Sequence, residues 1–368
     1  MRDIDMSKRI YWAVEAIGVA PEQSTAAAIV AAGDIAGAAG TGPDFVPGVQ
    51  SVGITTNFNL EQIFQLGQLE IYEDLEDVPD IEITVEKVFD QYLPFYARAI
   101  RPEGLPAQNT TKRNIADCQN NECDIYFTVN SDQDEAVAKG NHDAFVFCSG
   151  MFVSSVSFNF ATDGYFTESV TLVGNHKQWV TAPGGNKMRG VPTGNINDDT
   201  GQVKQRQNFY FITEPTTVGA TTDAQTAISS VTVSTDFGRE EMNVLGQKLP
   251  YHRYVTFPIE VTCDIEMYVT NISTQAGGNR LDAFPNKTNL TEETIKIGIA
   301  NSDVQDINSL GGAALIHTID LGTKNKIQSI TWGGGDTGGS NATLTLSYRN
   351  FNKMDYQYSG PATAAGLY

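Results

Sequence analysis

Hydrophobic and polar residues alternate with a period of two along most of the chain. The runs SVGITTNF (51–58), DIEITVEKVF (80–89), DIYFTV (124–129), FVSSVSFNF (152–160), YFTESVTLV (165–173) and SSVTVSTDF (229–237) share the pattern. So do YVTFPIEVT (254–262), DIEMYV (264–269), TIKIGI (294–299), IQSITW (327–332) and ATLTLSYRNF (342–351), with Gly, Asn, Asp or Pro between the runs. Successive side chains of a strand point to opposite faces, so the pattern predicts an all-β chain of short strands, sandwich or barrel in type. Helical periodicity is confined to Pro21–Ala32 and the stretch around Asp303–Leu310, which predicts one or two short helices.

The chain also repeats itself. At an offset of 179, residues 51–79 fall on residues 230–258 without a gap. Ser51, Val52, Thr56, Phe58, Glu61, Leu66, Gly67, Gln68 and Pro79 then meet Ser230, Val231, Thr235, Phe237, Glu240, Leu245, Gly246, Gln247 and Pro258. These nine matches over 29 positions exceed the roughly two expected by chance, and the Leu-Gly-Gln and Pro matches do not follow from alternation. One deletion later, Ile81, Glu82 and Thr84 meet Ile259, Glu260 and Thr262, and 154–172 resembles 328–346, each a strand, a Gly/Asp turn and a strand. Two related β-sandwich or β-barrel domains in tandem are therefore expected at 45–180 and 225–355. Around them lie an N-terminal arm (1–44), a Gly/Pro/Thr/Asn-rich linker (181–224) and a C-terminal tail (356–368). The first copy carries extra chain from Gln91 to Gly140.

Charge narrows the function. Of 368 residues, 24 are Lys or Arg and 44 are Asp or Glu, a net charge of −20 and a pI near 4.5. Phosphate binding needs cations to displace counterions, so a dedicated nucleic-acid binder is disfavoured. The N-terminal MRDIDMSKRIYW mixes both charges before any apolar run, unlike a secretory signal, and Ala26–Ala39 is too short and too interrupted to cross a bilayer. Four cysteines are too few for a disulfide scaffold, and a soluble protein made in the cytoplasm is expected.

After its first strand each copy runs into a long segment, NFNLEQIFQLGQLEIYEDLEDVP in the first, that mixes apolar and acidic residues around a glycine. Such a hairpin either folds back on its own sheet or extends a neighbour's. Edge strands left unpaired are aggregation hazards, so pairing between subunits is expected, and head-to-tail contacts of this type close into rings.

Three stretches resemble the tail tube proteins of tailed bacteriophages: GVQSVGITTNFNLEQIFQLGQLEIYEDLEDVPDIEITVEKVFD, SGMFVSSVSFNFATDGYFTESVTLVGN and DLGTKNKIQSITWGGGDTGGSNATLTLSYRNFN. The resemblance runs over Gly48–Asp90, Ser149–Trp179 and Arg253–Asn352 and is one of pattern rather than strict motif residues. It implies a tail-tube domain of sandwich or barrel type, stacked into rings of six domains that form a hollow tube conducting DNA. Long hairpins join the rings. Two domains per chain then imply a trimer with pseudo-sixfold symmetry, or a hexamer of whole chains. Its partners would be itself and tape-measure, baseplate or tail-terminator proteins, with or without a sheath, with DNA passing without specific binding and no membrane. The expected location is the virion tail, assembled in the bacterial cytoplasm. Subunit contacts are expected at Phe58, Leu66, Gly67, Leu69 and Ile71 in the first hairpin and at Phe237, Leu245 and Gly246 in the second. An acidic lumen repels phosphate and lets the duplex slide, which makes Glu70, Glu73, Asp74, Glu76 and Asp77 candidates to line it.

Other chemistry is thinly represented. Asp336-Thr337-Gly338 has the aspartic-protease triplet but lies in a Gly-rich turn without an apolar strand beside it, and WGGGDTGGS lacks the Lys-Ser/Thr of a phosphate loop. Cys118, Cys123 and Cys148, with His142, lack the paired spacing of a zinc site, and the cysteines read as buried or incidental thiols. His176, His252 and His317 stand alone, and Asp132, Asp134 and Glu135 begin like a calcium loop that Ala136, Val137 and Ala138 do not continue. Sequons at Asn109, Asn271, Asn286, Asn289 and Asn341 read as loop composition. No catalysis, cofactor or metal is expected. The alternative is a β-sandwich adhesin or carbohydrate-binding module using Trp12, Trp179, Trp332, Tyr165, Phe158 and Phe160, although alternating aromatics of this kind more often form core.

Overall fold

A computed structural model of the protein describes residues 16–21, 44–67, 69–101, 112–129, 144–181, 201–215, 228–268, 291–304, 310, 313–334 and 341–359. The expected helices at Pro21–Ala32 and Asp303–Leu310 lie wholly or largely outside these residues, as do residues 1–15 and most of the linker.

Strands dominate. In chain order they begin with β1 (Ala16–Pro21), β2 (Asp44–Phe45), β3 (Val49–Asn57), β4 (Leu60–Phe64), β5 (Ile71–Glu76) and β6 (Asp80–Val88), followed by a short helix α1 (Phe95–Ala99). Next come β7 (Arg113–Asn114), β8 (Cys123–Val129), β9 (Ala144–Ala161), β10 (Thr167–Gly174), β11 (His176–Thr181) and β12 (Phe209–Thr213). The rest are β13 (Ile228–Asp236), β14 (Arg239–Met242), β15 (His252–Val255), β16 (Glu260–Tyr268), β17 (Lys296–Ala300), β18 (Leu315–Asp320), β19 (Lys326–Gly333), β20 (Thr343–Phe351) and β21 (Asp355–Tyr358). Every alternating run named above lies largely in strand, although YVTFPIEVT divides between β15 and β16, which DIEMYV then continues.

The principal sheet is antiparallel, in the order β19-β20-β16-β13-β9-β10-β6-β3. It consists of two units with the same internal order. β9-β10-β6-β3 forms the first and β19-β20-β16-β13 the second, joined where β9 meets β13. The correspondence extends to side chains: Ser51 Oγ donates to Glu86 Oε2 at 3.1 Å, and Ser230 Oγ donates to Glu266 Oε2 at 3.2 Å. Register corrects one part of the sequence alignment. Asn57 pairs with Asp80 and Asp236 with Glu260, so Ile81 corresponds to Val261 and not to Ile259. A slip of two residues leaves the same side chains facing inward, so alternation could not detect it.

β9 is long because it serves two layers. Phe152–Asn159 pairs with β10, while Ala144–Met151 pairs with β8 and Ala144–Ser149 with β11, and β1 continues that layer beyond β8. A second small sheet, β12-β17-β18-β21-β7, completes the covering layer. One continuous apolar core runs between the layers and beneath both units, including Ile83, Phe158, Val233, Ile265, Ile297 and Ile319.

The short helix α1 is buried on every side, so it shows no amphipathic stripe. Its first turn is held by Glu168 of β10, whose two carboxylate oxygens accept the Phe95 and Tyr96 amides at 2.8 and 2.7 Å. Beside it, Lys87 and Asp90 form a fully buried ion pair at 2.9 Å. His317 bridges the layers, with Nε2 2.7 Å from the Asp90 carbonyl and Nδ1 2.6 Å from the Tyr356 hydroxyl. A carbonyl can only accept, so the proton sits on Nε2 and Nδ1 accepts from Tyr356. Burial lowers the His317 pKa to about 3, which keeps the ring neutral, and burial raises that of Glu168 to about 7.

Glu168 therefore binds a proton more tightly in the folded than in the unfolded chain. Its contribution is fully present below the unfolded value near 4.5 and is lost as pH rises through about 7. His317, with its pKa lowered, acts in the opposite sense below its unfolded value near 6.5, so the effect of Glu168 is read as a difference. In thermal unfolding from pH 5 to 8 the wild-type Tm should fall relative to that of Glu168→Gln. A Tm difference that stays constant or rises with pH would contradict the assignment.

Candidate assembly interface

The principal sheet ends in two strands, β3 and β19, whose outer edges pair with no strand among the described residues. Such edges present unpaired backbone donors and acceptors. The two units make their relation to the interior explicit. β9 and β13 pair from Ser155–Asp236 to Ala161–Ser230, with Phe158 opposite Val233 and Val156 opposite Thr235, all four buried. β3 corresponds to β13 and β19 to β9. The two open edges thus correspond to the two strands of that joint.

Burial shows the difference. Phe158, enclosed by Phe89, Tyr96 and Tyr356 at ring distances of 5.7, 6.0 and 6.3 Å, is 0% exposed. Its counterpart on β19, Trp332, is 50% exposed. On the other side, Val231 and Val233 are buried, whereas their counterparts Val52 and Ile54 are only partly so.

Each unit also projects a hairpin from the end of the sheet at which β3 and β13 finish. β4 and β5 form the first and β14 and β15 the second, each a separate two-stranded ribbon. Their turns match closely. Gly67 and Gly246 adopt φ of +87° and +88°, a left-handed conformation that favours glycine, and each follows a fully exposed leucine, Leu66 or Leu245. Tyr72 and Tyr251, both exposed, occupy equivalent places and add a further identity to the repeat.

The hairpins differ in what they touch. The second lies against the first unit. Arg239 donates from Nε to the Val153 carbonyl at 2.7 Å and from Nη2 to that of Gln119 at 2.6 Å, with its guanidinium over the Phe152 and Phe237 rings. Arg253 reaches Asp80 at 2.7 Å and Asn175 at 3.1 Å, and also pairs with Glu241 in its own hairpin. Burial lowers the Arg239 pKa to about 10, so it stays charged at neutral pH. By contrast, among the described residues, the side chains of β4 and β5 make no hydrogen bond or ion pair with the body of the chain. Leu60, Phe64, Leu69, Ile71, Tyr72 and Leu75 are exposed.

Phe237 therefore does not belong among the expected subunit contacts. It is 1% exposed, sealed at the joint inside the chain, whereas Phe58 at the equivalent place is 70% exposed. The second hairpin is covered by the first unit, and among the described residues no such cover is seen for Phe58. Leu66, Gly67, Leu69, Ile71, Leu245 and Gly246 all lie on the projecting hairpins. Glu70, Glu73, Asp74, Glu76 and Asp77 are exposed on the first hairpin, away from the polar face of the sheet.

That polar face carries acids of its own which the sequence reading missed. Ser155, Ser157, Ser169, Thr232, Ser234 and Thr262 cover its centre, flanked by Glu82, Glu86, Asp264 and Glu266. Strict alternation on β6 and β16 could have located them once the core face was known.

The remaining candidates lie elsewhere. Cys118, Cys123, Cys148 and Cys263 are all buried, and burial pushes the Cys148 thiol up to about 12. Among the described residues, no group of three His, Cys, Asp or Glu side chains is placed to hold a metal ion. His142, the Asp132-Asp134-Glu135 stretch, Asp336-Thr337-Gly338, Trp12, Asn109, Asn271, Asn286 and Asn289 are outside the described residues. Phe160 joins Phe158 in the core, while Tyr165 and Trp179 are exposed. A cavity of about 260 Å³ beside the joint is lined by Phe160, Phe166, Phe209, Arg206 and Ser229, with no carboxylate, histidine or cysteine among its lining residues. No helix among the described residues is long and apolar enough to cross a membrane. No protein-family model matches the chain, and no curated protein matches it.

Equivalent phenylalanines in opposite settings should respond differently to the same substitution. Phe237→Asp should lower unfolding stability by about 4 kcal/mol or more, since it combines a core cavity with a buried charge. Phe58→Asp should stay within about 0.5 kcal/mol of the wild type. Urea unfolding of the unassembled chain checks both.

Proposed function

We propose that this chain is a structural protein that joins head to tail through its open sheet edges, forming closed rings that stack into a hollow tube, the tail tube of a tailed bacteriophage. The observation that carries this reading is the joint between β9 and β13, which provides inside one chain a template for the contact between chains. Transferred to the open edges, it sets Ile54 of one copy opposite Trp332 of the next, Thr56 opposite Ile330 and Asn57 opposite Ser329. The half-exposed Trp332 then receives the cover that Phe158 already has. Three chains supply six four-stranded units, in keeping with the pseudo-sixfold ring that the resemblance implies.

In such a ring the polar face of the sheet lines the channel. Its Ser and Thr hydroxyls and its carboxylates offer DNA neither a run of cations nor an apolar surface, so the duplex passes without being held. The exposed hairpins meet adjoining chains and rings, and tape-measure, baseplate or terminator proteins meet the tube's ends and interior. On this reading the chain has no catalytic role, and it acts in the virion tail after assembly in the bacterial cytoplasm.

A double variant tests the register. Ile54→Cys with Trp332→Cys places the two thiols at opposite edges of one chain, so a disulfide can form only between chains. Under oxidising conditions it should give covalent dimers and closed trimers on non-reducing gels, and electron microscopy of the wild type should show tubes of stacked rings. Monomers alone by both measurements, at every concentration, would reject the reading in favour of a binding module.

A further inference from the structure

We propose that the β4–β5 hairpin docks on the second unit of the next copy through charges opposite in sign to those that dock the β14–β15 hairpin within the chain; this rests on the ring reading above. Inside the chain the hairpin brings the cation: Arg253 meets Asp80 and Asn175 at the rim of the first unit. The register of the two units carries each of these places across. Arg253 corresponds to Asp74, Asp80 to Glu260 and Asn175 to Phe351.

At that second rim stands Arg349, 3.6 Å from Glu260 and with its guanidinium 5.2 Å from the centre of the Phe351 ring. Directly across the strand pair from Arg349 is Lys326. Like charges in directly opposed positions are unfavourable unless an anion lies between them. Within the chain each has a loose carboxylate neighbour, Glu260 at 3.6 Å for Arg349 and Glu292 at 3.9 Å for Lys326, and both cations remain partly exposed. Lys324 lies exposed in the same connection.

The hairpin that would arrive there is suited to fill the gap. Residues 57–79 contain Glu61, Glu70, Glu73, Asp74, Glu76 and Asp77 and no Lys or Arg, whereas residues 236–259 contain Arg239, Lys248 and Arg253 against Asp236, Glu240 and Glu241. An acidic ribbon therefore meets a basic rim between chains, while a basic anchor meets an acidic rim within the chain. Exchanged, Arg253 would face Arg349 at the second rim and the acidic hairpin would face Asp80 at the first. The inversion discourages exchange between the two joints of a duplicated protein, a use of repulsion to set partner choice.

The test reverses the pair. Asp74→Arg and Arg349→Asp are made singly and together, thermal unfolding of each unassembled chain confirms its fold, and sedimentation velocity gives the concentration at which half the chains are in rings or larger. Each single reversal should raise that concentration about tenfold or more, the double reversal should bring it back to within about threefold of the wild type, and added salt should weaken wild-type assembly. Single reversals that change it by less than about twofold, while the Ile54–Trp332 cross-link still forms, would overturn this docking and leave the ring standing. Failure of the cross-link as well would overturn both.

Discussion

Backbone hydrogen bonds between β9 and β13 carry the organisation of this molecule. They join two four-stranded units into one sheet, and they do so on a strand whose other half is built into the covering layer. A joint anchored in both layers is fixed in register as well as in pairing, because a slip of one residue would turn Phe158, Val156, Val231 and Val233 out of the core. The same geometry leaves β3 and β19 as ends. An antiparallel sheet can satisfy an end only with another strand, with solvent or with covering chain, and the half-covered Ile54 and Trp332 mark what the first of these solutions would gain.

The buried polar groups serve this arrangement. Glu168, Lys87, Asp90 and His317 lie where β6, β10, α1 and the second layer converge, and each is bonded to an element other than its own or to the chain just beyond it. Replacing such a cluster with apolar residues could match its stability, but only directional bonds also fix the position of α1 against Phe158. The aromatic cage around Phe158 thus depends on a carboxylate at the start of a five-residue helix.

Alternation exposed the strands that bury one face and was blind to the others. β4, β5 and β14 leave both faces exposed or nearly so, giving no apolar period, and α1 buries both, giving none either. The repeat was legible in Leu66-Gly67-Gln68 and Leu245-Gly246-Gln247 because a left-handed turn restricts its residues wherever it occurs. Its continuation into β6 was misplaced by two positions because nothing in a period of two marks such a slip. Exposure of the candidate residues was half legible. Phe58 and Phe237 are alike in local sequence, and only the order of strands in the sheet, a non-local property, makes one a core residue and the other a surface residue.

The two units differ in how their hairpins are anchored. The Ser–Glu pair of each and the phenylalanines Phe58 and Phe237 are kept, while Arg239 corresponds to Leu60 and Arg253 to Asp74. A joint within one chain forms at a high effective concentration and can tolerate weak specificity, whereas a joint between chains has to find its partner by diffusion and reject near-identical alternatives. Long-range charge suits the second task, since it acts on encounter before the strands are in register. The excess of carboxylates on the free hairpin is then intelligible as part of the same constraint that leaves the sheet open at both ends.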